Sequence, residues 1–206
     1  MNKLYLVAEG PVDTTILQRL LPTQVASQTE FVQARHDALS LATTLLNVRR
    51  RPLALVIDAD TTNATSIQER VDSLRFLLRQ AAGNVPHEIF VAVPEIEIVF
   101  LQDRTLFERL VQRSLSDLEW RLAQLSPKET ITSLVRPSSS VMDLLAQLTD
   151  RDIAMLRQHE LIKGISDFLF RHLNWIEYPL PAYDRTPVLA VAEAGVSYQI
   201  DEDMDN

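Results

Sequence analysis

The sequence predicts an α/β fold in which a mostly parallel four-stranded sheet carries helices on both faces and is followed by a helical C-terminal region. Three observations lead to this prediction. Short apolar runs of strand type alternate with helix-type segments from residue 4 to about residue 100. The run at 53–57 is apolar on both faces, as a central parallel strand is. Beyond residue 103 only helical periodicity remains.

The alternation defines four strands and three intervening helices. The predicted strands are 4–8, 30–34, 53–57 and 88–93, and the helices between them are 12–21, 37–48 and 66–82. Pro11 stands in the first turn of the first helix, where its missing N–H is tolerated. Pro52 must end the second helix, and Gly83 is a typical stop for the third. The third helix is expected to face inward with Ile67, Val71, Leu74, Leu77 and Leu78. The order β-α-β-α-β-α-β implies right-handed crossovers and a mostly parallel sheet.

The second half of the chain reads as helical. Helices are expected at about 106–125, 141–148, 150–158 and 161–173, with a loop at Ser138–Ser140 and an irregular stretch at 178–187. The last six residues include four acids and predict a disordered tail. The domain organisation that follows is an α/β core at 1–103, a helical extension at 104–200 packed on that core, and an acidic tail at 201–206.

Composition narrows the classes of function. The chain has no cysteine, which excludes disulfides, thiol catalysis and cysteine-ligated metals. No apolar run approaches the length of a membrane-spanning helix, and no signal peptide precedes the first strand, so a cytoplasmic protein without membrane contact is expected. The net charge of −8 argues against a general nucleic-acid coat. The one dense basic cluster, Arg49 to Arg51, is either a solvated helix end or a phosphate contact.

Acidic residues follow two of the predicted strands. Glu9 comes after the first strand, and Asp58 and Asp60 come after the third. Ligands of open α/β sheets collect beyond the carboxyl ends of the strands, so these acids are expected to share one crevice. Their oxygens suit Mg²⁺ or Mn²⁺, and such an ion can polarise a phosphate or activate water. Standing alone, an Asp-x-Asp sequence is better explained by a turn or a helix cap than by a metal site.

The same segments resemble the Toprim domain of topoisomerases, bacterial primases, small ribonucleases and OLD-type nucleases. The resemblance lies in Leu-Tyr-Leu-Val-Ala-Glu-Gly-Pro-Val-Asp at 4–13 and Val-Ile-Asp-Ala-Asp at 56–60, and it covers about residues 3–102. It implies a Toprim-like, Rossmann-like fold. It also implies that Glu9 is a general acid/base or metal ligand and that Asp58 and Asp60 bind a divalent metal. Gly10 would permit a tight exit from the strand.

Further matches point to the small stand-alone or OLD-like branch. Asp13 lies four residues after Glu9, and Val-Pro-Glu-Ile-Glu-Ile-Val-Phe-Leu at 93–101 is similar to a strand-to-helix segment whose second Glu faces the site. The resemblance therefore adds Asp13 and Glu97 as metal ligands, with Glu95 as the alternate. Asp13 can equally be a helix-start acid that the dipole favours. OLD-type nucleases also use a lysine, for which Lys163 is the counterpart unless it is a plain surface residue.

Departures from the family argue against two of its activities, strand passage and primer synthesis. Thr62 stands where topoisomerases often carry another acid, and the chain has neither their tyrosine-bearing domain nor the primase zinc module. P-loop and Gly-x-Gly-x-x-Gly motifs are also missing, so P-loop ATP hydrolysis and dinucleotide binding are unsupported.

Three functions remain open. The first is a Mg²⁺- or Mn²⁺-dependent phosphodiesterase, a nuclease acting on DNA or RNA, either with a partner ATPase or as a homo-oligomer. The second is a non-catalytic Toprim-like module that binds metal or a partner. The third is a flavodoxin-like phosphoacceptor with Asp58 as the phosphorylated residue, which the single Glu9-Gly10 pair disfavours.

Overall fold

Four strands and a set of helices form the part of the chain that the computed structural model describes, which is residues 4–34, 37–134 and 141–176 of 206. The strands are β1 (Leu4–Ala8), β2 (Thr29–Gln33), β3 (Leu53–Asp58) and β4 (His87–Ala92). The helices along the sheet are α1 (Pro11–Leu20), α2 (Thr23–Ala26), α3 (Ala38–Arg49) and α4 (Ala64–Ala82). A 3₁₀ helix (Ile96–Gln102) is followed by α5 (Arg104–Val111), α6 (Asp117–Leu125), α7 (Pro127–Leu134), α8 (Val141–Ala146), α9 (Asp150–Leu156) and α10 (Glu160–His172).

The sheet is parallel throughout and has the order β2-β1-β3-β4. Every residue of β1 and β3 is buried, which explains why both strands are continuous apolar runs rather than alternating ones. The register pairs Ala8 with Val56, and Asp58 with Ala92, so the carboxyl ends of the strands lie along one edge. The predicted α/β class with a parallel four-stranded sheet is confirmed.

Helices cover both faces of the sheet. Alternate residues of β1 divide between two hydrophobic clusters, with Leu6 in the first and Val7 in the second. The first cluster joins the sheet to α1 and to the helices beyond residue 103. The second joins it to α3 and the end of α4. The C-terminal helices therefore share a core with the sheet instead of forming one of their own.

The helices depart from the predicted pattern at two places. The expected helix at 106–125 is two helices, because Gln112 adopts a left-handed conformation after α5 and Ser116 starts α6 with a capping box. Buried Leu115 lies between them and keeps the apolar spacing running through the break. Helix α4 buries only Leu78 and Ala82, so the expected inward position of Leu77 is wrong: 43% of that residue is exposed.

Some sequence-based expectations fall outside the described residues: the Ser138–Ser140 loop, the irregular stretch at 178–187 and the acidic tail at 201–206. Within the described part, no helix combines the length and the apolar character needed to cross a bilayer.

Candidate active site at the carboxyl edge of the sheet

The strand order places a crevice between β1 and β3. From β1 the chain first moves outward to β2, then returns past β1 to β3, so the direction of winding reverses between these two strands. In open α/β sheets this reversal opens a ligand-binding crevice beyond the carboxyl ends of the strands. Glu9 directly follows β1 and Asp58 is the last residue of β3. The two meet there, since the backbone N–H of Asp58 donates to Glu9 Oε2 at 3.2 Å.

Asp58 is the electrostatic centre of this crevice. Only 8% of the residue is exposed, and its Oδ1 accepts a hydrogen bond from the backbone N–H of Ile96 at 2.9 Å. Burial, followed by the charges of Asp13 and Glu97, raises the pKa of Asp58 to about 7. The hydrogen bond from Ile96 opposes this rise without cancelling it. Asp58 therefore lies close enough to the other two acids for their charges to interact.

Asp13 lies in the first turn of α1 and is buried. Its Oδ2 accepts a hydrogen bond from the backbone N–H of Gly10 at 2.7 Å, so the helix-start role considered for this acid has a structural basis. Gly10 has an extended φ of −121°, which any residue adopts, so the tight strand exit expected of this glycine is not its role. A Cβ there would lie 3.2 Å from Asp13 Oδ2, and the glycine instead leaves room for that carboxylate.

Glu97 lies in the 3₁₀ helix and is 2% exposed. Its Oε2 is buried and has no hydrogen-bond partner among the described residues. Burial raises the pKa of Glu97, a hydrogen bond from the residue's own backbone N–H opposes this rise, the charge of Asp13 raises the pKa further, and the charge of Lys128 lowers it. The alternate acid Glu95 is used elsewhere, because its Oε2 accepts from the backbone N–H of Lys128 at 2.9 Å. The geometry favours Glu97 over Glu95 as the acid of the crevice.

Asp60 lies at the solvent-exposed rim, where 70% of its side chain is accessible. Its backbone has a φ of 56°, in the left-handed region that Asp tolerates better than most residues. This turn directs Asp60 away from buried Asp58, so the structure brings the two acids to different depths. Asp60 faces a cation: Arg70 Nη1 lies 3.6 Å from Asp60 Oδ2.

Arg70 is the residue of this site that the sequence did not reveal. Its Nη1 donates to the backbone carbonyl of Asp58 at 2.9 Å, and its Nη2 lies 3.5 Å from Glu9 Oε1. It therefore joins the ends of β1 and β3 from its position on α4. The only signal in the sequence is an arginine in the second turn of the helix that follows Asp58 and Asp60. Such arginines are common on solvated helices and indicate nothing on their own.

Lys163 lies on the exposed side of α10. Its backbone N–H donates to the carbonyl of His159, and the structure gives no bond between its side chain and the acids among the described residues. Just before α10, Arg157 donates to the carbonyls of Leu20 and Leu21, at the end of α1 that is remote from the crevice. A catalytic role for Lys163 stays a prediction.

The donor chemistry of the crevice suits a hard divalent cation. Asp13, Asp58 and Glu97 supply carboxylate oxygens, and the buried Oε2 of Glu97 lacks any partner. Within the described ranges, no three acidic or histidine side chains are already grouped closely enough to hold a metal ion. Mg²⁺ is usually held by one or two carboxylates, water and substrate phosphates, so a ready-made protein cage is not what its chemistry requires.

Fold and site together define an α/β protein with a Rossmann-like parallel sheet and an acidic crevice at its topological switch point. Comparisons of the chain with protein-family models, with curated proteins and with solved structures gave no match. The resemblance to the Toprim domain therefore stays a hypothesis.

Proposed function

We propose that this protein is a Mg²⁺- or Mn²⁺-dependent phosphodiesterase of the Toprim kind, a nuclease that cuts DNA or RNA. The observation that carries the proposal is the buried, unpartnered Oε2 of Glu97 beside Asp13 and Asp58. The Glu97 carboxylate accepts a hydrogen bond from its own backbone N–H, but burying its other oxygen without a partner is unfavourable, and a packed fold normally pairs such an atom. A divalent cation would supply the missing partner and relieve the repulsion among the three acids.

In this proposal one or two of the carboxylates of Asp13, Asp58 and Glu97 would hold the metal in the crevice, together with water and a phosphate oxygen of the substrate. The ion would supply polarisation of that phosphate and would make the attacking water more acidic. Glu9 lies at the mouth with about a third of its side chain exposed, where it can accept the proton of the attacking water. Arg70 reaches the same mouth, and its guanidinium has the fork geometry that binds phosphate oxygens.

A second function has its own support. Glu9 and Asp60 already lie opposite the guanidinium of Arg70, which neutralises part of their charge. Two of the acids assigned to chemistry thus have a structural partner, as in a module that binds metal or another protein and cuts nothing.

Cleavage assays on labelled single- and double-stranded DNA and RNA distinguish these functions. The wild type is expected to cut with Mg²⁺ or Mn²⁺ and not in EDTA, and Glu97→Gln should remove the activity while keeping the side-chain shape. Asp167→Asn is the matched control, since it also neutralises one acid but lies exposed on α10. Activity that survives Glu97→Gln would place the chemistry elsewhere. Mn²⁺ binding without cleavage, followed by electron paramagnetic resonance, would establish the non-catalytic module.

A further inference from the structure

The amino edge of the sheet, opposite the acids, gathers basic side chains that are scattered in the sequence. We call this group the basic edge, and its members are Arg49, Arg50, Arg51, Arg75, Arg79 and His87. The first three end α3 and lead into β3, and His87 begins β4. The register pairs Leu53 with His87, so these two strands start side by side. The fold thus turns the sequence cluster at 49–51 into part of a larger surface.

Two contacts assemble the basic edge. Arg50 adopts a left-handed conformation at the end of α3, and its Nη2 donates to Asn84 Oδ1 in the turn between α4 and β4 at 2.9 Å. On the other side of this turn, Arg75, Arg79 and His87 line one cavity of about 260 Å³ together with Glu88 and Ile89. The end of α3, the last turns of α4 and the start of β4 therefore present their cations together.

The local charge is opposite in sign to the charge of the whole protein. The chain carries a net charge of −8, whereas the basic edge has five arginines. Acids also lie among them: Asp72 Oδ1 lies 3.2 Å from Arg75 Nη1, and Glu88 lines the cavity. An anionic protein that concentrates arginine at one edge has a local field that attracts phosphate despite its overall repulsion of polyanions.

We propose that the basic edge binds the phosphodiester backbone of a nucleic-acid strand. The inference deepens the proposed function, and it rests on that function only in assigning the strand to the acidic crevice. The distance from the basic edge to the carboxyl edge of the sheet is the length of β4. From His87 to Ala92 this strand makes five steps, which span roughly 17 Å. That length corresponds to about five base pairs of duplex.

Helix α4 runs from the acidic crevice to the basic edge. Arg70 at the crevice precedes Arg79 by nine residues, about 14 Å of helix. Nine residues make two and a half turns, so Arg70 and Arg79 lie on opposite sides of α4, and a strand held by Arg75 and Arg79 has to cross α4 to reach the mouth where Arg70 meets Glu9. The basic edge supplies affinity without sequence preference, since its contacts are to phosphate.

The test is fluorescence anisotropy of labelled DNA and RNA strands in EDTA, at several salt concentrations between about 50 and 200 mM. The double variant Arg75→Gln with Arg79→Gln should bind roughly tenfold more weakly, and its log–log salt slope on duplex should fall by about 1.8, for two lost phosphate contacts. The double variant Arg121→Gln with Arg151→Gln is the control. It makes the same change of charge at two exposed sites outside the basic edge.

Three outcomes would overturn the inference: no binding by the wild type in EDTA, equal weakening in the control, or full competition by millimolar inorganic phosphate, which would indicate a small-anion site. The variant with both arginines changed to lysine should keep most of the affinity, since point cations also bind phosphate, and so guards against a folding defect. Because no metal is present, failure here leaves the proposed metal chemistry untouched, and failure of the metal site leaves this binding intact.

Discussion

Asp58 should make the folded protein less stable as the pH rises from acid to neutral. Its pKa is raised from the ordinary 3.8 to about 7, chiefly by burial and then by the charges of Asp13 and Glu97. Between these pH values the folded state keeps a proton that the unfolded state has lost. Each pH unit in that window lowers the free energy of unfolding by about 1.4 kcal/mol. The loss is absent below about pH 4, complete above about pH 7, and on the order of 4 kcal/mol in total.

Asp58→Asn should remove this dependence and stabilise the metal-free protein at neutral pH. The amide oxygen can keep the 2.9 Å hydrogen bond from the backbone N–H of Ile96, while the group no longer carries a charge that burial disfavours. The variant should match the wild type at about pH 4 and exceed its free energy of unfolding at about pH 8 by on the order of 2 to 4 kcal/mol. His159 and His172, whose pKa values burial lowers, give an opposite trend that is common to both proteins.

Urea unfolding in EDTA at about pH 5, 6.5 and 8 measures this difference, provided that the denaturant slopes agree between the two proteins. Asp167→Asn, on the exposed side of α10, is the control that removes an acid without removing a buried charge. Equal pH dependence in wild type and Asp58→Asn, or a less stable variant at about pH 8, would refute the reasoning. Either result would mean that Asp58 is ionised in the folded state without penalty.

Three further predictions concern the metal, the rim and the core. Millimolar Mn²⁺ should raise the melting temperature near neutral pH by binding only the folded state, and Glu97→Gln should abolish that rise. An unchanged wild-type melting temperature would contradict the metal site. Asp60→Ala tests the metal-ligand role that the Toprim resemblance implies: with that role it should remove cleavage while leaving circular dichroism and the urea midpoint unaltered, since 70% of that side chain is exposed. Retained cleavage would exclude Asp60 from the chemistry and agree with its position at the rim. Phe168→Ala should lower the free energy of unfolding in urea by about 3 to 5 kcal/mol, because the ring is buried and packs edge-on against Phe90 at 6.0 Å between centroids. A loss below about 1 kcal/mol would mean that α10 is not part of the core.

Strands β1 and β3 could be predicted closely from the sequence because every residue in them is buried. A continuous apolar run such as Leu53 to Ile57 has few alternatives when a proline precedes it and acids follow it. The bounds of the helices were harder to predict. The break after Gln112 depends on one left-handed residue, and Leu115 masks it by keeping the apolar spacing. Helix α7 was missed because Pro127, which begins it, also reads as a breaker.

For the site, topology explains what sequence could and could not foresee. Parallel strands align their carboxyl ends, so the proximity of Glu9 and Asp58 follows from strand assignment alone. The contact of Arg70 with Glu9 spans 61 residues and depends on how α4 lies over the edge of the sheet. No periodicity encodes that orientation. The different depths of Asp58 and Asp60 likewise come from a single left-handed turn residue, which their spacing did not reveal.

Glu97 is the residue that separates a structural from a functional explanation of the crevice. Asp13 accepts a hydrogen bond from Gly10, and Asp58 accepts one from Ile96, so each of these acids has a structural reason to be buried. The Glu97 carboxylate accepts a hydrogen bond from its own backbone N–H, but its Oε2 is fully buried with no partner within the described part of the chain, and burial alongside Asp13 makes the folded state less stable wherever the carboxylate is ionised. A glutamine would fill the same space without that penalty. The proposed cation would give the acid a reason to be there, which makes Glu97→Gln the change that most directly tests the assignment.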